Sequence, residues 1–240
     1  MDNKVSKVLV IGAGPIKIGQ ACEFDYSGTQ VCNTLKSEGI FTILFNSNPA
    51  TYMTSNGVAD RIYIESLTVN NLLKILEDQK PDAIIPFAGG QTALNLALAL
   101  KGSKFEDIKL LGTNIECIKN SEDRRKFHQI LKNNHIDCLD SFSVNGNMKV
   151  MESAKFPLIL RTSYSLGGSS SCVVNSYDDY IKIYNDIYSK DNRSEIYAEE
   201  YVDGLAEYEL EVVKDKNGEC CVICCIENMD PMGIFIQETQ

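Results

Sequence analysis

A glycine-rich turn near the amino terminus carries residue types that can bind phosphate. The stretch VLVIGAGPIKIGQ runs from four apolar residues into three glycines, Gly12, Gly14 and Gly19. A dinucleotide-binding turn needs the spacing G-x-G-x-x-G, whose third glycine lets the following helix pack closely on the strand. Counted from Gly12, that third position is Lys17. The spacing therefore argues against an NAD(P) site and favours a turn that only lets the strand enter its helix.

The end of the next apolar run argues in the same direction. In a dinucleotide site the second strand is followed by an acid that binds the ribose. Here the corresponding segment is FNSNPA, which supplies Asn46 and Asn48 instead. An amide lacks the charge of that acid, so this second feature of the dinucleotide pattern is also missing.

An arginine stands directly before a second glycine-rich segment, in the other half of the chain. In LRTSYSLGGSSS, Arg161 ends an apolar run and is followed by Gly167 and Gly168. Glycines let backbone N–H groups approach phosphate oxygens, and an arginine at a strand end adds charge-assisted hydrogen bonds. The alternative is an ordinary solvent-exposed loop.

Carboxylates recur at two further places in this half. EYELEVV alternates Glu207, Glu209 and Glu211 with apolar residues, which puts three acids on one face of a strand. Like charges on one face repel unless they are solvated or face cations or ribose hydroxyls. In AEEYV, Glu200 could hold an adenine amino group or could simply be exposed. Both segments leave the two interpretations open.

The nine cysteines do not form the pattern of a disulfide scaffold, because their count is odd and no secretory signal precedes them. Cys221 and Cys224 form a CxxC, but a zinc site needs a second ligand pair, and the two histidines are distant in sequence. Regular strand alternation would point Cys220 and Cys224 one way, and Cys221 and Cys225 the other. We expect buried, small apolar cysteines rather than metal ligands.

Alternating elements position these candidates in the first half. Apolar runs predict strands at 7–12, 41–46, 60–65, 82–87 and 108–113, and amphipathic patterns predict helices at 21–39, 69–79 and 92–100. Continuous apolar strands alternating with helices predict a parallel sheet covered on both faces. Ligands of such sheets bind at the carboxyl ends of the strands, where GAGPIKIG, NSNPAT and AGGQT lie.

The pattern changes near residues 115–120, where we place a domain boundary. A helix is expected from Ser121 to His135, with Ser121 as its N-cap. Strands follow at 156–163, 172–175 and 194–202, with a helix at 177–189 before the last of them. The segment 207–228 predicts two strands joined at a Lys-Asn-Gly turn. The second half is therefore expected to be an α+β unit with antiparallel strands.

Charge and hydropathy exclude two classes of partner. The net charge is −10 and no basic stripe is present, which argues against nucleic-acid binding. No apolar run approaches the roughly 18 residues of a membrane span, and the first residues carry no secretory signal. We expect no membrane partner and a cytoplasmic protein.

Seven segments together resemble one enzyme family, the large subunit of carbamoyl-phosphate synthetase. They span about residues 6–234 in order: GAGPIKIGQACEFDYSGTQ, NSNPATYMT, GGQTALN, EDRRKF, LRTSYSLGGS, EYELEVVKDKNG and IENMDPMGI. The first and last are more similar to the amino-terminal synthetase half than to its carboxyl-terminal duplicate. The resemblance implies an α/β fold, with a Rossmann-like pre-ATP-grasp domain over 1–116 and an incomplete α+β ATP-grasp domain over 117–240.

The resemblance also implies an activity and its partners. That half of the family uses MgATP to phosphorylate bicarbonate, and ammonia then attacks the carboxyphosphate. The reaction feeds carbamoyl phosphate to pyrimidine and arginine synthesis, and a glutaminase subunit or domain is the implied protein partner. By motif match, the resemblance assigns ATP contacts to Arg124, Arg161, Gly167, Gly168, Glu200, Val202, Glu207, Gly233 and Ile234.

The chain departs from the family pattern in three places. The family continues GIHTGDS, whereas this chain has Phe235 at the histidine position and ends in IQETQ. It ends before the Gln, Glu and Asn that hold magnesium in the family, and its loop at 167–172 has fewer glycines. We therefore expect a fragment without synthetase activity of its own. The alternatives are a non-catalytic module that docks a glutaminase, and another ATP-grasp ligase such as a biotin carboxylase, against which GQACEFDYSG and GGQTALN argue.

Overall fold

The computed structural model describes residues 5–16, 21–144, 154–162, 171–190 and 196–229 of the chain. The chain divides into two units, Met1–Ser121 and Glu122–Gln240.

The first unit is built on a five-stranded parallel sheet. Its strands are β1 (Lys7–Ile11), β2 (Phe41–Asn46), β3 (Arg61–Ile64), β4 (Ala83–Ile85) and β5 (Lys109–Leu110). Their spatial order is β3-β2-β1-β4-β5. The order reverses at β1, as it does in doubly wound nucleotide-binding folds. The predicted parallel α/β sheet is confirmed.

Helices of the first unit follow the strands along the chain. A π-helical turn (Ala21–Tyr26) leads into α1 (Ser27–Ser37), and α2 (Val69–Gln79), α3 (Gly90–Leu98) and α4 (Ile115–Glu122) come later. Two short 3₁₀ turns lie at Tyr52–Thr54 and Phe87–Gly89. The Thr68 side chain caps α2 by accepting a hydrogen bond from the backbone N–H of Asn71.

Strand alternation in β1 shows that both faces of this sheet are covered. Val8 and Val10 pack in a cluster with Cys32 of α1, whereas Leu9 and Ile11 pack in another cluster with Leu72 of α2. All four β1 side chains are fully buried. A strand buried on both faces is typical of a parallel sheet between two helical layers.

The second unit contains a four-stranded antiparallel sheet of spatial order β6-β9-β7-β8. These strands are β6 (Ser141–Ser143), β7 (Leu158–Thr162), β8 (Cys172–Val174) and β9 (Ile196–Glu200). Helix α5 (Arg124–Asn133) precedes the sheet, and α6 (Tyr177–Lys190) connects β8 to β9. Leu158, Leu160 and Ala198 form a core on one face with Tyr180 of α6. The α+β prediction for this half is confirmed.

The helix predicted from Ser121 to His135 is wrong at its start. Ser121 lies inside α4, where its hydroxyl donates to the Cys117 carbonyl at 2.9 Å. The N-cap of α5 is Asp123, which has extended backbone angles and accepts a hydrogen bond from the Lys126 N–H at 3.1 Å. Serine and aspartate are both good N-caps. The extended backbone at Asp123 separates the two helices and makes Arg124 the first residue of α5.

The last two described strands, β10 (Tyr208–Lys214) and β11 (Cys220–Glu227), form the predicted hairpin. Asp215 organises its turn by accepting hydrogen bonds from the N–H groups of Asn217 and Glu219, at 2.8 and 2.9 Å. Side chains are exposed along the whole length of both strands.

Two expectations about the hairpin cysteines are wrong. A bulge in β11 pairs Val222 with Val212 but Cys224 with Glu211, so that Ile223 is an extra residue. The extra residue breaks the regular alternation and puts Cys221 and Cys224 on one face of the hairpin. Their pairing partners on β10 are Val213 and Glu211, respectively. The four hairpin cysteines, Cys220, Cys221, Cys224 and Cys225, are exposed rather than buried.

Candidate functional site

Two arginines and one glutamate meet in the second unit. Nη1 of Arg124 lies 3.5 Å from Oε1 of Glu199, and Nε of Arg161 lies 3.3 Å from Oε2 of the same carboxylate. Glu199 therefore contacts a different arginine with each of its oxygens. The three side chains are 28, 33 and 18% exposed for Arg124, Arg161 and Glu199, respectively.

Strand register explains why Arg161 and Glu199 share a face. Arg161 of β7 pairs with Tyr197 of β9, and Ile159 pairs with Glu199. Alternate residues of a strand point to opposite faces, so Arg161 and Glu199 lie on the face opposite the core residues Leu160 and Ala198. Arg124 reaches the same carboxylate from the first turn of α5.

Two positive charges stand close together in this group. The two guanidinium groups and the Glu199 carboxylate sum to +1, and the Glu207 carboxylate also acts on Arg161. Burial lowers the pKa of Arg161 below its ordinary value, and the positive charge of Arg124 lowers it further. The negative charges of Glu199 and Glu207 oppose this lowering. Among the described residues, the Arg161 Nε has no acceptor in hydrogen-bonding geometry, although the Glu199 carboxylate is close. The Glu199 carboxylate contacts one nitrogen of each guanidinium, so it leaves the other guanidinium nitrogens of the pair unengaged.

Only some of the residues predicted to contact ATP lie at the group formed by Arg124, Arg161 and Glu199. Arg124 and Arg161 meet at Glu199, and the half-buried Glu207 precedes β10 close enough to influence the Arg161 charge. Glu200 ends β9 on the other face and is exposed, and its backbone N–H donates to the Asp140 carbonyl at 3.1 Å. Val202 follows and is half-buried. The remaining four, Gly167, Gly168, Gly233 and Ile234, lie outside the described residues.

Glu199 was not predicted from the sequence. It stands beside Glu200 in AEEYV, where nothing in the composition distinguishes the two acids. The available signal was strand alternation, since the apolar Ala198 indicates the core face and Glu199 must point the other way. Its contact with both arginines depends on the pairing of β7 with β9, which a single sequence does not reveal.

In the first unit, protein side chains pack against Gly12 and Gly14 of the glycine-rich turn, whereas Lys17 and Gly19 lie outside the described residues. The buried Asn46 side chain accepts a hydrogen bond from the Gly14 N–H at 3.0 Å. A Cβ atom at Gly12 would lie 2.6 Å from the Asn46 Nδ2, and one at Gly89 would overlap the Gly12 carbonyl oxygen. These glycines let the ends of β1, β2 and β4 approach each other, a packing role that was not predicted from the sequence.

A carboxylate also joins two of the sequence segments singled out above. Asp25, from EFDYSG, accepts hydrogen bonds from the Thr51 hydroxyl and from the Met53 N–H, the latter at 3.1 Å. Thr51 is the N-cap of the 3₁₀ turn Tyr52–Thr54, which forms the rest of the TYMT segment. The two segments are therefore joined by hydrogen bonds to Asp25.

Within the described part of the chain, no group of three or more His, Cys, Asp or Glu side chains could hold a metal ion. No helix among the described residues is long and apolar enough to cross a membrane.

Two family models match consecutive parts of the chain. Residues 4–120 match the carbamoyl phosphate synthase preATP-grasp domain, and residues 123–239 match the ATP binding domain of the carbamoyl-phosphate synthase L chain. Together they account for nearly all of the sequence.

Full-length relatives agree with the family models. The chain is 44% identical over 234 residues to the carbamoyl phosphate synthase large chain of Campylobacter jejuni, covering 96% of this chain and 22% of the relative. It is 41% identical over 243 residues to that of Methanothermobacter thermautotrophicus, covering 99% of this chain and 23% of the relative. The chain thus spans about a fifth of the length of these relatives.

Solved structures of lower identity share the fold. The biotin carboxylase domain of the Hydrogenobacter thermophilus 2-oxoglutarate carboxylase, in complex with MgADP, ADP and bicarbonate, has a TM-score of 0.69 at 17% identity, covering 92% of this chain and 49% of that one. The Staphylococcus aureus N5-carboxyaminoimidazole synthetase complexed with ADP has a TM-score of 0.67 at 18% identity, covering 94% of this chain and 55% of that one. At this identity the likeness shows a common fold.

Proposed function

Because the chain belongs to the carbamoyl-phosphate synthase large-chain family, we propose that its second unit binds the phosphates of ATP and that this site serves a synthetase that phosphorylates bicarbonate, the chain by itself being inactive. The carboxyphosphate formed would feed carbamoyl phosphate synthesis in the pyrimidine and arginine pathways. The observation that carries this proposal is the Arg124–Arg161 pair, which shares a single carboxylate and retains a net positive charge.

The arginine pair supplies the chemistry that a polyphosphate needs. Each guanidinium presents five N–H donors in a planar fork, and Glu199 occupies only one direction of each. The remaining donors can form paired, charge-assisted hydrogen bonds to phosphate oxygens. Partial burial strengthens these bonds, because the surroundings screen charge less than bulk water does.

The ends of β9 and β10 supply the rest of the proposed nucleotide site. We assign Glu200 and Val202 to the neighbourhood of the adenine and Glu207 to the ribose hydroxyls, since carboxylates accept hydrogen bonds from amino and hydroxyl donors. The Glu207 charge acts on Arg161, so the residue proposed for the ribose lies near one proposed for the phosphates. Gly167, Gly168, Gly233 and Ile234 remain predictions for the same pocket.

In the proposed reaction, a bicarbonate oxygen attacks the γ-phosphorus of ATP, and the bond to the leaving ADP oxygen breaks. Arg124 and Arg161 would bind and orient the phosphates and offset the negative charge that develops on them. Both guanidinium groups carry N–H donors, so Arg124 and Arg161 would act on the phosphate oxygens directly. Attack by ammonia, supplied by a glutaminase subunit or domain, would follow.

Biotin carboxylase is the competing member of the same fold. The biotin carboxylase and N5-carboxyaminoimidazole synthetase structures given above are less than 20% identical to this chain. The relatives at 40% identity or more are carbamoyl phosphate synthase large chains. The higher identity favours carbamoyl phosphate synthesis over a biotin-dependent reaction.

The proposal is tested by following the transfer of an oxygen atom from bicarbonate to phosphate. A full-length synthetase that contains this chain is incubated with ATP, magnesium and ¹⁸O-labelled bicarbonate, and the released phosphate is analysed by mass spectrometry. The chain by itself is expected to release none. If bicarbonate attacks the γ-phosphorus, one labelled oxygen must appear in the phosphate after carboxyphosphate decomposes to carbon dioxide. ATP hydrolysis that is independent of bicarbonate, or that yields unlabelled phosphate, would contradict the proposal.

A further inference from the structure

We infer that Glu199 is a positioning residue, which holds the guanidinium groups of Arg124 and Arg161 in the orientation that meets phosphate oxygens. The inference rests on the proposed nucleotide site and adds to it a residue that does not touch the nucleotide.

The placement of Glu199 makes it the fixed member of the group. It lies in β9, which is paired on one side with β6 and on the other with β7, so its backbone is held by both neighbours. It is also the least exposed of the three side chains, at 18%. Arg124 comes from the first turn of a helix and Arg161 from a strand end, and the only carboxylate within ion-pair distance of both, among the described residues, is Glu199.

The atoms in contact leave the arginines available to a ligand. Glu199 faces the Nε of Arg161, which leaves both Nη groups of that guanidinium unoccupied by this carboxylate. It faces one Nη of Arg124, which leaves the other Nη and the Nε. A guanidinium held along one edge presents its other edge in a defined direction, and that direction is what paired hydrogen bonding to phosphate requires.

Charge excludes a direct role for Glu199 in phosphate binding. A carboxylate repels phosphate oxygens, so Glu199 can assist their binding only through the arginines. It also separates two like charges that would otherwise face each other across a partly buried space. The effect of Glu199 on the pKa of Arg161, which opposes the lowering by burial and by Arg124, agrees with this role.

The test compares two substitutions and two ligands. Glu199→Gln removes the charge at nearly constant shape, and Glu199→Asp keeps the charge on a side chain that is one methylene shorter. ADP binding is measured by calorimetry and adenosine binding by saturation-transfer NMR. The control is Glu219→Gln, which removes an exposed acid in the hairpin turn whose hydrogen bond to Asp215 uses its backbone.

We expect Glu199→Gln to weaken ADP binding about tenfold and to leave adenosine binding unchanged, because only the phosphates meet the arginines. Glu199→Asp should recover ADP affinity to within about threefold of the wild type, and Glu219→Gln should match the wild type. The inference is overturned if Glu199→Gln binds ADP as the wild type does, if it loses ADP and adenosine to the same extent, or if Glu199→Asp is as impaired as Glu199→Gln. In all of these cases the wild type still binds ADP, whereas a wild type that binds neither ligand would contradict the nucleotide site itself.

Discussion

Asn46 provides the sharpest test of how the glycine-rich turn is built. Its side chain is 2% exposed, and its Oδ1 accepts hydrogen bonds from the Gly14 N–H at 3.0 Å and from the Asn48 N–H at 3.2 Å. Asn46→Leu keeps the approximate volume and removes the acceptor. It therefore leaves two N–H donors without their partner in a packed region.

The expected cost follows from the burial of those two donors. A buried donor that loses its acceptor costs about 1–3 kcal/mol, and the Gly14 N–H is buried whereas the Asn48 N–H is only partly buried. We expect Asn46→Leu to lower the free energy of unfolding of the first unit by about 2–4 kcal/mol. At roughly 3–6 °C for each kcal/mol in a domain of this size, Tm should fall by on the order of 10 °C.

Hydrogen exchange of peptides covering β1 and β2, combined with thermal unfolding, measures this effect in the first unit alone. The matched control is Asn48→Ala, which removes an exposed hydrogen bond to the Ala50 N–H and should cost less than about 1 kcal/mol. If the two substitutions destabilise the unit equally, or if Asn46→Leu costs less than about 1 kcal/mol, the reasoning about the turn is wrong.

Three further predictions concern the first unit and the cysteines. Gly89→Ala should destabilise the protein by about 3 kcal/mol in urea unfolding, because its Cβ would overlap the Gly12 carbonyl and lie 2.5 Å from the Ala93 Cβ. Native alkylation at pH 8 should leave Cys32 unmodified, because burial raises the pKa of its thiol to about 12, while the exposed hairpin cysteines react. Asp82→Asn should lower stability at pH 7, because hydrogen bonds from the N–H and hydroxyl of Ser6 hold the pKa of Asp82 below its ordinary value. This stabilisation is complete above the unfolded-state pKa of about 3.9 and disappears as the pH falls through the lower folded-state pKa, so the two urea midpoints should converge in acid.

The Gly89 prediction has a matched control, and each of the three predictions has an outcome that would contradict it. Gly39→Ala introduces a side chain at a φ of +71° with no atom within 4 Å, so it should cost only the backbone strain of about 1–2 kcal/mol. Equal costs at Gly39 and Gly89 would contradict the packing argument. Alkylation of Cys32 at the rate of the hairpin cysteines would contradict its burial. A difference between Asp82→Asn and wild type that persists unchanged to pH 2 would show that the charge of Asp82 is not responsible.

Local patterns in the sequence were enough to predict most elements of the first unit. The bounds of β2 and α2 were predicted to the residue, because the run FTILFN ends at Asn46 and because VNNLLKILEDQ has apolar residues at helical spacing. These features depend on a few neighbouring residues. The parallel direction of the strands then follows from the alternation of strands and helices, whereas their order was not predicted.

Features that depend on pairing between distant residues could not be predicted. The bulge at Ile223 exists only in the pairing of β10 with β11, and it reverses which hairpin cysteines share a face. The contact of Glu199 with two arginines depends on β9 lying beside β7. The start of α5 was misplaced for a different reason, since Ser121 and Asp123 are both suitable N-caps and only the extended backbone at Asp123 shows which of them precedes the helix.

The central claim is that Arg124 and Arg161 form the phosphate site, and calorimetric titration of ADP tests it most directly. The wild type is compared with Arg124→Met, Arg161→Met and Arg125→Met, the last of which removes an exposed arginine from the same helix. A hydrogen bond to a charged group contributes about 1.5–3 kcal/mol, so each of the first two changes should weaken binding about tenfold or more, while Arg125→Met should bind as the wild type does. Equal affinity in all four proteins, or no binding by the wild type, would contradict the claim.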